Sequence, residues 1–276
     1  MPTVAIDIPA SLHATLLETA GRDGSDLSSV VAAALAQYLG TSFHTLFQVS
    51  TSGALVAGVY DGVLSVGSIL DHGDFGLGTF ADLDGEMVIV DGLAYQIHGD
   101  GRVELAALGA RAPFAVVTRL LPTLDLSIES VGDLRRLAEQ CDALRTSGNI
   151  FYAFRVDGHF SRVRARAVSP PEPGARLIDA AKAQSEFLFS DIEGTLVGLW
   201  SPGFSSAFSI PGYHFHFLSD DRKHGGHLLD CRASRLRLRL AALTDFHLAL
   251  PESRSFLAAD LSKNSAGELA YAEQAH

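Results

Sequence analysis

The stretch 210–227 constrains the fold of this chain more than any other feature, because it carries four histidines in a strand–turn–strand pattern. His214 and His216 are two residues apart, and side chains two apart in a β-strand point to the same face. The stretch 220–226 is polar and ends in Gly-Gly, which is typical of a hairpin loop. A return strand that begins at His227 would place that imidazole opposite His214 or His216, on their face.

Imidazoles that converge from two neighbouring strands are typical of a site for a first-row metal ion, and zinc with one open coordination position is the usual occupant. The alternative is that three of the 11 histidines fall in one hairpin by chance. A His-x-His pair alone is weak evidence, but a third histidine just beyond a Gly-Gly turn favours the metal site. We therefore predict His214, His216 and His227 as ligands, and we interpret His224 in the loop as a non-ligand.

Composition indicates a globular protein. The chain has 276 residues, of which 47% are hydrophobic and 19% are charged, so it can build one large or two modest domains. A formal net charge of −11 argues against a nucleic-acid-binding surface over the whole molecule, although one arginine in a pocket would still bind an anionic small molecule. Cys141 and Cys231 have no CxxC partner, which favours reduced, buried thiols. With no signal peptide and no apolar run of membrane-spanning length, we expect a cytoplasmic protein without membrane contact.

Residues 1–42 are interpreted as a separate module. Strand-like alternation over 4–8, helical spacing over 12–21 and a cap at Ser25 or Asp26 indicate a strand and two helices. This order is similar to a ribbon-helix-helix module, which forms its sheet only by dimerising. Asp7 would lie on the outward strand face and would be repelled by phosphates, so we predict dimerisation or packing rather than DNA binding.

Residues 43–276 are interpreted as one catalytic domain, with sub-halves of about 43–148 and 149–276. Short strands separated by glycine-containing turns predict an α+β protein with mixed or antiparallel sheets. Asp91-Gly92, for example, separates two strand-like segments. A second hairpin is predicted over 149–168, with its turn at Gly158-His159.

Two blocks of sequence also carry a family resemblance. One is Val197-Gly198-Leu199-Trp200 with the Pro-Gly-Tyr-His-Phe-His-Phe-Leu and Asp-Arg-Lys-His-Gly-Gly-His runs that follow it. The other is Gly67–Phe80, which reads GSILDHGDFGLGTF and continues to Leu83-Asp84-Gly85-Glu86-Met87. From about residue 43 to the C-terminus the chain resembles the alpha-acetolactate decarboxylase family. The resemblance implies a carboxy-lyase that converts 2-acetolactate to acetoin and CO₂ in the acetoin and butanediol pathway. It further implies a homodimer, with zinc as the Lewis acid that stabilises an enediolate.

The resemblance also implies roles for individual residues. Arg166 matches an arginine that would bind the substrate carboxylate, and Glu86 matches a catalytic glutamate with Thr79 as a nearby polar contact. Glu273 matches a second glutamate on a tail that folds back over the metal, although Glu268 is an alternative for this position. Without the resemblance, Arg166 would be interpreted as part of a solvated basic strand face together with Arg162 and Arg164. Likewise, Glu86 would be a solvated carboxylate. His72 and Asp74, in the glycine-rich block, are interpreted as structural residues first.

Two other functions remain open at this point. Another zinc lyase or a zinc hydrolase would use the same three ligands, and only the surrounding acid–base groups would distinguish it from a decarboxylase. A ligand-sensing regulator would use residues 1–42 to bind DNA, but the acidic strand face argues against it.

Overall fold

The computed structural model describes residues 5–24, 26–39, 44–172, 174–262 and 267–269. Backbone contacts divide the chain into two compact units, residues 1–43 and 44–276. The helices are α1 Ala10–Asp23, α2 Leu27–Tyr38, α3 Ser52–Val56, α4 Val66–Leu70, α5 Leu134–Leu144, α6 Leu177–Lys182 and α7 Arg254–Ala258. The strands are β1 Thr45–Val49, β2 Leu64–Ser65, β3 Phe75–Thr79, β4 Glu86–Val90, β5 Leu93–Ile97, β6 Val103–Leu105, β7 Arg111–Ala112, β8 Phe114–Thr118, β9 Leu124–Val131, β10 Phe151–Ala167, β11 Ser185–Ser201, β12 Gly212–Ser219, β13 Gly225–Leu243 and β14 Asp245–Ala249.

The N-terminal unit contains the two expected helices. Asp26 is the N-cap of α2, and its carboxylate accepts a hydrogen bond from the Ser29 backbone N–H at 2.9 Å. Residues 5–9 do not form the expected strand, and Val4 and Ser25 lie outside the described residues. The ribbon-helix-helix interpretation therefore stays a prediction.

The second unit is built on two sheets, and the first has seven strands in the order β14-β1-β8-β3-β4-β5-β6. β1 and β14 pair in parallel, whereas the other neighbours pair antiparallel, so the sheet is mixed. The predicted α+β class with mixed sheets matches this architecture. None of the helices in the described ranges combines the length and apolar character that a bilayer-spanning helix requires.

The second sheet has the order β10-β11-β12-β13-β9 and closes on itself, because β10 pairs with β13 as well as with β11. One apolar cluster lies on one face of this sheet and includes Leu137 and Cys141 of α5. Another cluster joins the two sheets, with Leu77 and Val88 from the first and Val197 from the second. The candidate site lies at this junction between the sheets.

Two expectations about chain organisation differ from the structure. The sheets do not divide at residue 148, since β9 belongs to the second sheet and β14 returns to the first. The hairpin predicted at Gly158-His159 is also wrong: β10 runs unbroken from Phe151 to Ala167, and Gly158 lies opposite Gly194 of β11. A glycine within a long paired strand permits close approach of the neighbouring strand, and here it does not mark a turn.

Candidate metal centre

The hairpin formed by β12 and β13 brings the predicted histidines together. His216 pairs in register with His227, which was one of the two pairings expected from the sequence. Gly226 permits this arrangement, because it has φ +142° and a Cβ at this position would lie 2.5 Å from the Arg166 carbonyl oxygen. Asp221 supports the turn by accepting hydrogen bonds from the Ser219 hydroxyl at 2.7 Å and from the Lys223 N–H at 3.1 Å.

A β-bulge in β13 determines the side of the sheet to which His227 belongs. Arg164 pairs with Asp230 but Ala165 pairs with Leu228, so β13 has one extra residue, Leu229, between these pairs. Leu228 and Cys231 consequently belong to the same apolar cluster although they are three residues apart. The extra residue therefore places His227 on the opposite face, toward the pocket, as bulges near functional sites commonly do.

The ring nitrogens of the three histidines have the separations expected of metal ligands. Nε2 of His214 lies 3.1 Å from Nε2 of His216 and 3.1 Å from Nδ1 of His227, and the three donor atoms lie within 4.8 Å of one another. Ligands about 2.0–2.1 Å from a tetrahedral zinc ion would be roughly 3.3 Å apart. The three imidazoles thus fit a divalent first-row metal.

Burial also keeps the histidines in the form that binds metal. His214 is 9% exposed and His216 is 1% exposed. Desolvation lowers the pKa of His214 to about 3, with a smaller contribution from Arg166, and lowers the pKa of His216 well below its ordinary value. Nδ1 of His216 donates to the Met87 carbonyl oxygen of β4 at 2.8 Å, which leaves Nε2 as the ligand atom. The first sheet therefore orients a ligand carried by the second.

A pocket of about 50 Å³ lies beside this centre, and both polar and apolar side chains line it. Its polar side chains are those of Thr79, Glu86, Arg166, His214 and His227. Its other lining residues are Leu55, Gly78, Leu83, Phe114, Val168, Leu177, Ala181 and Ile210. The apolar wall is part of the core that joins the two sheets, so the polar groups face a largely apolar space.

Glu86 begins β4 and is 7% exposed, so it is not a solvated strand-initial carboxylate. Its Oε2 lies 3.6 Å from Nε2 of His216, next to the ligand cluster. The preceding turn is held from two sides: the Thr79 hydroxyl donates to the Gly85 carbonyl at 2.8 Å, and the Asp84 carboxylate is bonded by Gln96 and His98. Glu86 therefore projects from a rigid turn into the pocket.

Arg166 is separated from the solvated arginines on the same strand. It is 5% exposed and pairs in register with His227. Arg162, by contrast, is exposed and lies 3.5 Å from the Asp230 carboxylate, and Arg164 is only partly buried. The alternative in which all three arginines form one solvated basic strand face is wrong for Arg166, because its side chain is buried and lines the pocket. The Nη1 of Arg166 donates to the Oε1 of Gln184.

Two other histidines of the sequence blocks that carry the family resemblance lie outside the ligand cluster. His224 is exposed, with its ring 5.0 Å from that of Phe189, and it does not belong to the ligand cluster. His72 stacks on Phe47 with ring centroids 3.6 Å apart. Asp74 accepts a hydrogen bond from the Leu120 backbone N–H at 2.9 Å, which fits the structural role expected for this block.

The C-terminal tail is described only in part, and Glu273 lies outside the described residues. Glu268 forms an ion pair with Arg176 and does not line the pocket. The next residue, Leu269, is 1% exposed and belongs to the core cluster that walls the pocket. The tail thus returns to the pocket side of the fold as far as residue 269.

Sequence reasoning did not find Gln184, the Met87 carbonyl or the residues of the apolar wall. The carbonyl carries no side-chain signal, and Gln184 lies in a short connection between α6 and β11 without a recognisable motif. Only the pairing of distant strands brings these groups to the site.

Comparisons with known proteins give a consistent result. The family profile described as alpha-acetolactate decarboxylase matches residues 46–263. The alpha-acetolactate decarboxylase of Methanosarcina mazei is 41% identical over 230 residues, which cover 83% of this chain and 80% of that protein. The enzyme of Methylococcus capsulatus is 40% identical over 227 residues, with 82% and 87% coverage. The crystal structure of alpha-acetolactate decarboxylase from Bacillus subtilis strain 168 superimposes with a TM-score of 0.81 at 32% identity, and covers 84% of this chain and all of that one.

Proposed function

This chain belongs to the alpha-acetolactate decarboxylase family, and we propose that its histidine-lined pocket is where 2-acetolactate loses CO₂ to form acetoin. Like these relatives, which are alpha-acetolactate decarboxylases, the chain is a carboxy-lyase that acts on acetolactate. The observation that carries the assignment of the site is the convergence of three ligand histidines, Glu86 and Arg166 in or beside one small, largely apolar pocket.

The substrate explains why these groups are needed together. Acetolactate is a tertiary alcohol that bears a carboxylate and a ketone on neighbouring positions. When the bond to the carboxylate carbon breaks, its electron pair moves into the ketone, and a proton must then be delivered to carbon. The reaction therefore calls for a cation that holds the carboxylate, stabilisation of negative charge on oxygen, and an acid.

Arg166 supplies the cation. Its planar guanidinium is suited to two parallel hydrogen bonds with a carboxylate, and burial at 5% exposure strengthens that interaction. In our proposal this contact orients the bond that breaks and releases CO₂ toward the Arg166 side of the pocket.

We assign to Glu86 the role of the acid that delivers this proton. Its rigid turn and its 3.6 Å separation from His216 place its carboxyl group beside the reacting oxygens that the centre would bind. Thr79 holds the Gly85 carbonyl and so positions Glu86. Glu273 remains our candidate for a second carboxylate, with Glu268 as the alternative.

His214, His216 and His227 would hold the metal, for which we propose zinc. When bound, the ion supplies Lewis-acid stabilisation of the negative charge that develops on the substrate oxygens. Three protein ligands leave coordination positions for substrate, which is typical of a catalytic rather than a structural zinc site.

The direct test combines product analysis with metal analysis. Protein purified without chelators is incubated with acetolactate, and acetoin and CO₂ are measured beside the metal content. We expect equal amounts of both products and about one zinc per chain. Dialysis against a chelator should abolish the reaction, and added zinc should restore it. A protein that retains full activity without any metal would refute the assignment of the centre.

We also propose that the catalytic unit acts as a homodimer and that residues 1–42 contribute to association. In the N-terminal unit, α2 has no buried residue, and Leu35 and Tyr38 are 50% and 87% exposed. Such small units rarely bury enough apolar surface alone and commonly associate.

A further inference from the structure

Gln184 occupies a position that is held on both sides by regular structure. It follows the end of α6, where the N–H of Ala183 bonds to the Ala180 carbonyl. It precedes Ser185, the first residue of β11, which pairs with Ala167 of β10. The connection is therefore short and its backbone is anchored at each end.

The side chain of Gln184 reaches the buried arginine of the pocket. Its Oε1 accepts a hydrogen bond from Nη1 of Arg166, and Gln184 is itself partly buried. The helix that leads to Gln184 also contributes Leu177 and Ala181 to the pocket wall. The orientation of the guanidinium is thus coupled to the helix that walls the pocket.

We propose that Gln184 is a positioning residue that holds the Arg166 guanidinium in the orientation that binds the carboxylate of the substrate. An amide is suited to this role because it accepts one hydrogen bond without neutralising the positive charge. A carboxylate at the same position would form an ion pair with Arg166 and compete with the substrate. This inference rests on the proposed function, since it assumes that Arg166 binds the substrate carboxylate.

The experiment compares a ligand that has a carboxylate with one that lacks it. Competitive inhibition constants are measured on the zinc-loaded enzyme for 2-hydroxy-2-methylbutanoate and for butane-2,3-diol, together with kcat, KM and metal content. The variants are Gln184→Met, which keeps size but removes the acceptor, and Gln184→Glu, which keeps the acceptor but adds a negative charge. The matched control is Gln140→Met, because Gln140 lies on α5 outside the pocket lining and bonds only to the Glu129 carbonyl among its described contacts.

For Gln184→Met we expect carboxylate binding to weaken about tenfold or more, the usual effect of losing a hydrogen bond to a charged group. Diol binding should stay within about twofold of the parent, zinc content should be unchanged, and kcat/KM should fall mainly through KM. For Gln184→Glu we expect an equal or larger loss of carboxylate binding, again with diol binding retained.

Several results would overturn the proposal. Equal weakening of both ligands, or loss of zinc, would assign Gln184 a merely structural role, and a Gln184→Met variant that behaves like Gln140→Met would remove any role. A parent enzyme that converts acetolactate but does not prefer the carboxylate ligand would refute the role of Arg166, and with it that of Gln184. A parent that does not convert acetolactate would instead refute the proposed function itself.

Discussion

The metal-free protein should become less stable in mildly acidic solution, because two ligand histidines are buried in their neutral form. Burial lowers the pKa of His214 to about 3 and that of His216 well below its ordinary value. In the unfolded chain both would titrate near 6.5. Between these values the unfolded state binds more protons than the native state, so the free energy of unfolding falls as the pH falls.

The magnitude follows from the unfolded-state titration. One pH unit below 6.5, a histidine that stays neutral in the native protein costs about 1.4 kcal/mol of stability. His214 and His216 together should therefore lower the free energy of unfolding by about 3 kcal/mol at pH 5.5. This result is insensitive to the native pKa values as long as both lie below about 4.5. It is a large fraction of the ~5–15 kcal/mol that stabilises a typical domain.

The assay is urea denaturation of chelator-treated protein, at about pH 7.5 and about pH 5.5, compared with a variant that carries both His214→Gln and His216→Gln. The parent should lose about 3 kcal/mol more than the double variant over this interval. Zinc binding to the native state should raise the stability of the parent at the higher pH. If the parent and the double variant show the same pH dependence, the two histidines are not buried as neutral groups and the reasoning fails.

Four further predictions test the site and the N-terminal unit. His216→Ala should lose zinc and activity together, whereas His224→Ala should keep nearly all its zinc; equal losses in metal analysis would mean that the ligand set is wrong. Arg166→Lys keeps the charge but not the two-pronged geometry, so we expect a loss of about tenfold or more in kcat/KM with zinc still bound, and a near-normal rate would exclude the carboxylate contact. Glu86→Gln should keep the metal but slow turnover by roughly 10²–10⁴, and unchanged turnover with unchanged handedness of the acetoin would exclude Glu86 as the proton donor. Deletion of residues 1–42 should leave kcat within about twofold, since the residues that line the pocket all belong to the second unit, and should reduce the association seen by light scattering; an unchanged association state would argue against a role of this segment in dimerisation.

Several local features were predictable because they depend on residues close together in the chain. The cap at Asp26 precedes α2, and the turn at Asp91-Gly92 joins β4 and β5. Both involve hydrogen bonds or backbone angles within a few residues. Family membership was also recognisable from sequence blocks and is confirmed by the comparisons. The turn predicted at Gly158 was wrong because local sequence alone does not distinguish a glycine within a long strand from a glycine in a turn.

The sequence by itself determined that His214 and His216 share a face, since alternation along a strand depends only on spacing. The side of the sheet to which His227 belongs was decided by the bulge at Leu229, a consequence of how β13 pairs with β10. Packing of the two sheets brought the Met87 carbonyl and Glu86 to His216, and the burial of Arg166 depends on the same packing. Periodicity acts over a few residues of one strand. Contacts across more than 100 residues depend instead on which strands pair and which faces pack together, and the tertiary structure alone decides this pairing and packing.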